Sequence, residues 1–162
     1  MNLDLPPAVI QLMRVGPSTD WPNVSVEELL ATQGWQVANP AEDGRRIKAG
    51  PVGGLLTDVR NGFQAVLLDA LVEWPAESLG EDVLYRTFGV AFIQARDFAR
   101  ALWGDPSSLS LREWEEIELV VGEFSHSQSC LWRRDGWIGM VGVQHEDSGL
   151  PFRLVVGVIV RR

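Results

Sequence analysis

The stretch that decides the fold is FRLVVGVIVR, residues 152–161. Alternate side chains of a strand point to opposite faces of its sheet, and both sets are apolar in this stretch. One face carries Phe152, Leu154, Val156, Val158 and Val160, and the other carries Val155 and Ile159. A strand that is apolar on both faces is buried on both faces, so we expect this strand to lie in the centre of a sheet.

Six further segments have the composition and the flanking turns of strands. They are residues 35–38, 45–49, 55–60, 63–74, 129–133 and 137–145. Asn61-Gly62 joins two of them and is the strongest short hairpin signal in the chain. The glycine-rich residues 50–54 are predicted to be a break between strands. Gly139 lies inside a predicted strand, where it indicates a bulge, strong twist or the close approach of a packed helix.

Helical periodicity is clearest over residues 81–103, where apolar side chains recur every three or four residues. Capping boxes that begin at Ser25 and Ser110 predict two more helices, over residues 26–33 and from residue 111 onward. The end of the last helix is ambiguous, because its apolar residues also alternate as they would in a strand. A short helix over residues 8–15 completes the set.

This order of elements predicts an α+β fold, a mostly antiparallel sheet with two or three helices packed on one face. A chain of 162 residues has the usual length of one domain. We therefore expect a single domain over residues 1–162, in which residues 1–24 form an N-terminal arm and residues 25–162 form the α+β core.

The charge balance limits the classes of partner. The chain has 22 acidic and 14 basic residues, which gives a formal net charge of −8. This charge argues against nucleic acid and against an anionic membrane surface, since both bind basic footprints. It permits a basic protein partner. Because the sequence shows no signal peptide, no apolar run of about 18 residues and only one cysteine, we expect a cytoplasmic protein.

Few residues have the spacing that catalysis or metal binding needs. Cys130 and His126 are four residues apart in a loop that enters a strand, which is not a known catalytic spacing. His126, His145 and Cys130 are too few for a zinc site. The glycine-rich residues 50–54 lack the Lys-Ser/Thr of a phosphate-binding loop. The sequence therefore predicts a protein without enzymatic activity, metal or cofactor.

Acidic residues concentrate around the predicted helix that begins at residue 111. On that helix Trp114, Ile117 and Val121 are expected to face inward, and Leu111 shares their near-helical spacing. Four carboxylates then point toward solvent, and they are the candidate partner-binding residues: Glu113, Glu115, Glu116 and Glu118. Such a surface is either a solvated helix face or an electrostatic docking surface for a basic partner.

Three segments carry a resemblance to a known family. They are Val26–Leu30 running into Gly34-Trp35, the helix end Phe98–Pro106, and Leu131–Gly136 followed by two apolar strands. In these segments the chain resembles an uncharacterised family of small proteins from high-GC bacteria, many of which are regarded as immunity proteins against polymorphic toxins. The resemblance covers residues 25–162 and leaves out residues 1–24.

The resemblance implies that the protein binds a cognate toxin domain and neutralises it by occluding its active site. The family offers no catalytic residues to transfer, and the net charge of −8 is compatible with a basic toxin. The alternative is a chaperone for a secreted protein, which would bind an extended segment and not a folded domain. A third class, an enzyme or a small-ligand binder, would need a deep pocket with convergent polar groups.

Overall fold

A computed structural model describes residues 4–41, 44–75, 80–145 and 150–162 of the chain. Within these residues, seven strands form one antiparallel sheet. The strands are β1 (Gln36–Val37), β2 (Arg45–Ala49), β3 (Val52–Leu56), β4 (Phe63–Glu73), β5 (Ser129–Arg134), β6 (Trp137–Gln144) and β7 (Phe152–Arg161). Their order across the sheet is β1-β2-β3-β4-β7-β6-β5.

Four α-helices accompany the sheet in the described part of the chain. They are α1 (Pro7–Ser18), α2 (Val26–Thr32), α3 (Glu81–Trp103) and α4 (Leu111–Val121), and two single-turn 3₁₀ helices cover Trp21–Asn23 and His126–Gln128. The α+β class is therefore confirmed. The ambiguous helix ends at Val121, because Gly122 follows with a positive φ of 86°.

The last strand lies inside the sheet, as its composition predicts. β7 pairs with β4 on one side and with β6 on the other. Its alternate side chains enter two separate hydrophobic clusters, one on each face of the sheet. Phe152 and Val156 belong to the first cluster, and Val155 and Ile159 belong to the second.

The two faces of the sheet carry different helices. Buried residues of α1, α2 and α3 belong to the first cluster, so three helices pack on one face, in line with the predicted architecture. Ile117, Val120 and Val121 of α4 belong to the second cluster, together with Ala65 of β4. The fourth helix thus covers the opposite face, which the predicted one-sided arrangement did not include. The apolar second face of β7 requires such a cover.

Residues 1–24 are not simply an arm outside the core. Val9 and Met13 of α1 are 0% exposed, and Trp21 is 1% exposed. All three belong to the same cluster as α3 and the sheet. The C-terminal Arg162 also donates hydrogen bonds to the carbonyl oxygens of Trp21 and Val24, which ties this segment to the end of β7. Apolar side chains from residues 1–24 therefore share one hydrophobic cluster with residues of the α+β core.

Two glycine-containing segments show how local sequence sets the strands. Asn61 and Gly62 have φ values of 51° and 79°, and this pair forms the predicted hairpin turn between β3 and β4. Residues 50–54 were expected to break the chain, but only the first two form a turn, and Val52–Leu56 is a strand. Gly54 fits there because a Cβ at this position would lie 2.3 Å from the carbonyl oxygen of Leu67.

Candidate protein-binding surface

The helix α4 is held at both ends and along its inner face. At its start, the Glu113 backbone N–H donates to the Ser110 hydroxyl at 3.3 Å, and the Ser110 N–H donates to the Glu113 carboxylate at 2.8 Å. This reciprocal pair is the predicted capping box. Ile117 and Val121 are buried against the sheet. The helix therefore presents its remaining side chains to solvent on a fixed support.

Two of the four predicted carboxylates form ion pairs with residues outside the helix. They belong to Glu113 and Glu118. The carboxylate of Glu113 caps the helix and also pairs with Arg133. The hydrogen bond from the Ser110 backbone N–H, aided by the Ser110 hydroxyl and by Arg133, holds the pKa of Glu113 below its usual value. Glu118 pairs with His126. These two carboxylates consequently have structural roles at the flanks of α4.

His126 completes a small cluster beside Glu118. Its ring stacks on the indole of Trp114, with 4.8 Å between the ring centroids and 27° between the planes. Trp114 packs against the second hydrophobic cluster. The imidazole therefore covers part of the flank of α4 while its Nε2 atom faces the carboxylate of Glu118.

The other two predicted carboxylates, Glu115 and Glu116, point to solvent. Glu115 is exposed and has no ion-pair or hydrogen-bond partner among the residues that the structure describes. Glu116 lies 3.5 Å from Arg112 in an exposed pair between residues four apart. Pairs of this kind contribute at most a few tenths of a kcal/mol, roughly, so neither carboxylate is needed for the fold.

Two leucines share this outward side of α4. Leu111 is 73% exposed and Leu119 is 60% exposed. Residues 111, 115 and 119 are four apart, so they follow one another along the side of the helix that faces away from the sheet. We call Leu111, Glu115, Glu116 and Leu119 the outer face of α4. It is an apolar–acidic–apolar surface on a rigid element.

The sequence interpretation missed both leucines, and for different reasons. Leu111 was grouped with the apolar residues of the helix because it fits a loose helical spacing with Trp114. Leu119 was obscured because the alternation of Ile117, Leu119 and Val121 is also typical of a strand. A strict turn of 100° per residue, with Ile117, Val120 and Val121 as the buried side, would have placed both leucines outward.

Two grooves lie beside α4, one at each half of the helix. The groove beside its N-terminal half has a volume of about 540 Å³ and an apolar lining that includes Phe63, Ile138 and Ile159. The groove beside its C-terminal half has a volume of about 470 Å³ and includes arginine side chains in its lining. The outer face of α4 therefore stands between two depressions that could receive side chains of a partner.

The structure separates the two residues of the only candidate nucleophile–base pair. Cys130 packs against the first hydrophobic cluster, on the side of α3, whereas His126 stacks on Trp114 on the side of α4. Burial raises the pKa of the Cys130 thiol. The Nδ1 atom of His145 lies 3.2 Å from the Tyr85 hydroxyl, and its Nε2 atom is buried without a hydrogen-bond partner among the described residues. No group of three or more potential metal ligands occurs among the described residues.

Comparisons with known proteins add no family. No protein-family model matches the chain, and neither curated proteins nor solved structures return a significant match to it. In the described ranges, no helix combines the length and the apolar character needed to cross a membrane. The function must therefore be inferred from the surface itself.

Proposed function

We propose that the protein is a cytoplasmic, non-enzymatic binding protein of the immunity type, which neutralises a cognate toxin by covering the toxin's active site. The observation that supports this proposal is the outer face of α4. There the exposed Leu111 and Leu119 bracket Glu115, which has no partner within the described residues. An exposed apolar pair beside exposed carboxylates matches a partner surface that is apolar at its centre and basic at its rim.

The two kinds of side chain would contribute to binding in different ways. Leucines that become buried against a partner mainly slow dissociation, because desolvated apolar contacts at the centre of an interface carry much of its free energy. Carboxylates at the rim mainly accelerate association, because their field steers a basic partner before contact. The net charge of −8 supports the second effect over the whole molecule.

The partner to test is the C-terminal domain of a secreted protein encoded beside this gene, expressed in a bacterial host. The proposal expects that domain to arrest growth and expects co-expression of this protein to restore it. The purified pair should form a one-to-one complex with the folded domain. Binding only to an unfolded or extended segment of the secreted protein would support the chaperone alternative and contradict the immunity proposal.

The location of the interface can be tested with charge-matched variants. Glu115→Lys with Glu116→Lys and Asp4→Lys with Glu28→Lys each change the net charge from −8 to −4. Asp4 and Glu28 are exposed and lie outside α4. If the outer face of α4 steers association, the α4 variant should lower the association rate constant by about tenfold or more at low salt. The control variant should lower it far less.

Two results would count against this interface. Equal slowing by both variants would show that only the net charge matters. Unchanged dissociation on replacement of Leu111 and Leu119 by glutamine would show that the leucines stay exposed in the complex. Both leucines are exposed in the free protein, so these replacements should leave its stability within about 0.5 kcal/mol.

A further inference from the structure

The arginines of this protein are almost all engaged by other groups of the chain. Lys48 is the only lysine, and the other 13 of the 14 basic residues are arginines. Six arginines pair with carboxylates. Three donate to backbone carbonyl groups, and Arg161 lies over the ring of Phe63. In the described part of the chain, only Arg14, Arg46 and Arg60 lack such a partner.

Two of these three free arginines line the same groove. Arg46 and Arg60 both border the groove of about 470 Å³ beside the C-terminal half of α4. Arg153 borders it as well, although its guanidinium also donates to Asp69 at 2.7 Å. Arg14 lies on α1, which packs on the opposite face of the sheet. In an acidic protein, two of the three guanidinium groups that lack a partner within the described ranges thus border one depression.

The lining of the groove adds neutral polar groups and apolar walls. Thr57 and Gln144 line it and are 4% and 5% exposed. The Thr57 hydroxyl accepts from the Ala65 backbone N–H at 2.9 Å, so its own proton can be donated to a ligand. Leu55 and Leu119 supply apolar surface, and the acidic side chain in the lining, Glu118, is paired with His126. The groove therefore combines cationic, hydrogen-bonding and apolar contacts.

Arg46 and Arg60 border one groove and have no partner among the described residues, so an anion in the groove would meet two available guanidinium groups. Guanidinium groups present a fixed fork of donors that matches the two oxygens of a phosphate or a carboxylate. We propose that this groove binds a small organic anion. Arg46 and Arg60 hold its phosphate or carboxylate group, and its apolar body lies against Leu55 and Leu119. The site shares Leu119 with the outer face of α4, but its two arginines lie outside that face and its test does not require the toxin.

Isothermal titration calorimetry with three anions as probes tests the site. Phenyl phosphate and benzoate carry the same ring on different oxyanions, and inorganic phosphate lacks the ring. We expect saturable one-to-one binding of at least one of the two ring compounds, and weaker binding of inorganic phosphate than of phenyl phosphate. Comparison of the phenyl phosphate titration with the benzoate titration then identifies whether the groove prefers a phosphate or a carboxylate. A protein with a net charge of −8 repels anions in general, so saturable binding indicates a local site.

Matched variants connect the binding to the two arginines. Arg46→Gln with Arg60→Gln removes two charges at the groove, and Arg14→Gln with Arg86→Gln removes two exposed charges elsewhere. The groove variant should bind at least about tenfold more weakly, and the control should stay within about twofold of the parent protein. Arg46 and Arg60 are exposed, so both variants should unfold at the temperature of the parent protein.

Three results would overturn the proposal. The first is no saturable binding of either ring compound up to about 10 mM, the weak end of specific ligand binding. The second is equal weakening by the two variants, which would indicate a general charge effect. The third is binding that persists in the groove variant, which would place the anion elsewhere.

Discussion

Replacing Gly139 with alanine should destabilise the protein because the new methyl group would overlap two indole rings. A Cβ at this position would lie 2.6 and 2.7 Å from Cζ3 and Cε3 of Trp103, and 2.9 Å from Cζ3 of Trp137. The ring of Trp103 cannot retreat freely. Its Nε1 atom donates to the Met13 carbonyl at 2.8 Å, and the ring of Trp132 packs on it at a centroid distance of 5.2 Å.

The magnitude follows from two opposing contributions. Inserting a methyl group into a packed core destabilises the folded state by about 1–3 kcal/mol. Replacing glycine with alanine also reduces the entropy of the unfolded chain, which stabilises the protein by about 0.4–1 kcal/mol. The middle of each range gives a net loss of about 1.3 kcal/mol for Gly139→Ala. For a chain of this length, that loss corresponds to a fall of about 3–5 °C in the melting temperature.

Gly53→Ala is the matched control, since Gly53 lies in β3 of the same sheet. A Cβ there would meet only the Asp69 Oδ2 atom, at 3.9 Å. Because both variants make the same change in the unfolded chain, their difference isolates the overlap with the tryptophans. We expect Gly139→Ala to be less stable than Gly53→Ala by about 1–3 kcal/mol.

Urea unfolding followed by tryptophan fluorescence measures this difference. The Trp103→Phe background supplies an internal check, because phenylalanine lacks the two indole carbon atoms that approach Gly139. In that background the penalty of Gly139→Ala should fall to less than half, and this coupling is read from a double-mutant cycle. The reasoning is refuted if Gly139→Ala and Gly53→Ala unfold at the same urea concentration, or if the Trp103→Phe substitution leaves the penalty unchanged.

Three further predictions concern the core, the cap of α4 and the thiol. Deleting residues 1–19 should abolish cooperative unfolding, because α1 buries three or more large apolar side chains worth about 1.5–3 kcal/mol each, and circular dichroism during a thermal scan would show this. Ser110→Ala should destabilise the protein by about 1 kcal/mol in urea. The pKa of Glu113 is lowered in the folded state, so its carboxylate stabilises the fold above the unfolded pKa, and this stabilisation disappears as the pH falls through the folded value. In Glu113→Gln the free energy of unfolding should therefore depend less on pH in the acidic range. An unchanged pH dependence would contradict the role of the cap. Burial raises the pKa of Cys130 and keeps the thiol protonated near neutral pH, so a thiol reagent should react with it much more slowly in buffer than in urea.

Much of the fold could be predicted because its signals are local. The helix over residues 81–103 was predicted with the bounds that the structure shows, since a long apolar stripe and a following Gly-Asp-Pro leave few alternatives. Asn61-Gly62 predicted its hairpin because only residues that tolerate positive φ can form that turn. Residues 50–54 were misinterpreted because glycine is usually unfavourable in strands. Here the close approach of β4 to Gly54 favours it.

The candidate site was predicted only in part. The sequence indicated the right helix and its acidic character. It did not show that Arg133 would pair with Glu113, 20 residues away along the chain. Nor did it show that His126 would pair with Glu118, 8 residues away. It also did not show that Arg46 and Arg60 would remain without partners at one groove. An arginine's partners depend on which strands become neighbours, and local patterns do not contain that information.

The sequence alone determined the class of fold, the central position of residues 152–161 and the limits of α3. Each of these depends on interactions between residues close in sequence, or on how apolar a single segment is. Tertiary structure alone decided that α4 crosses to the second face and that α1 enters the core. These outcomes depend on which helix covers which apolar face of the sheet. Local sequence does not determine this, because it depends on how the whole chain packs.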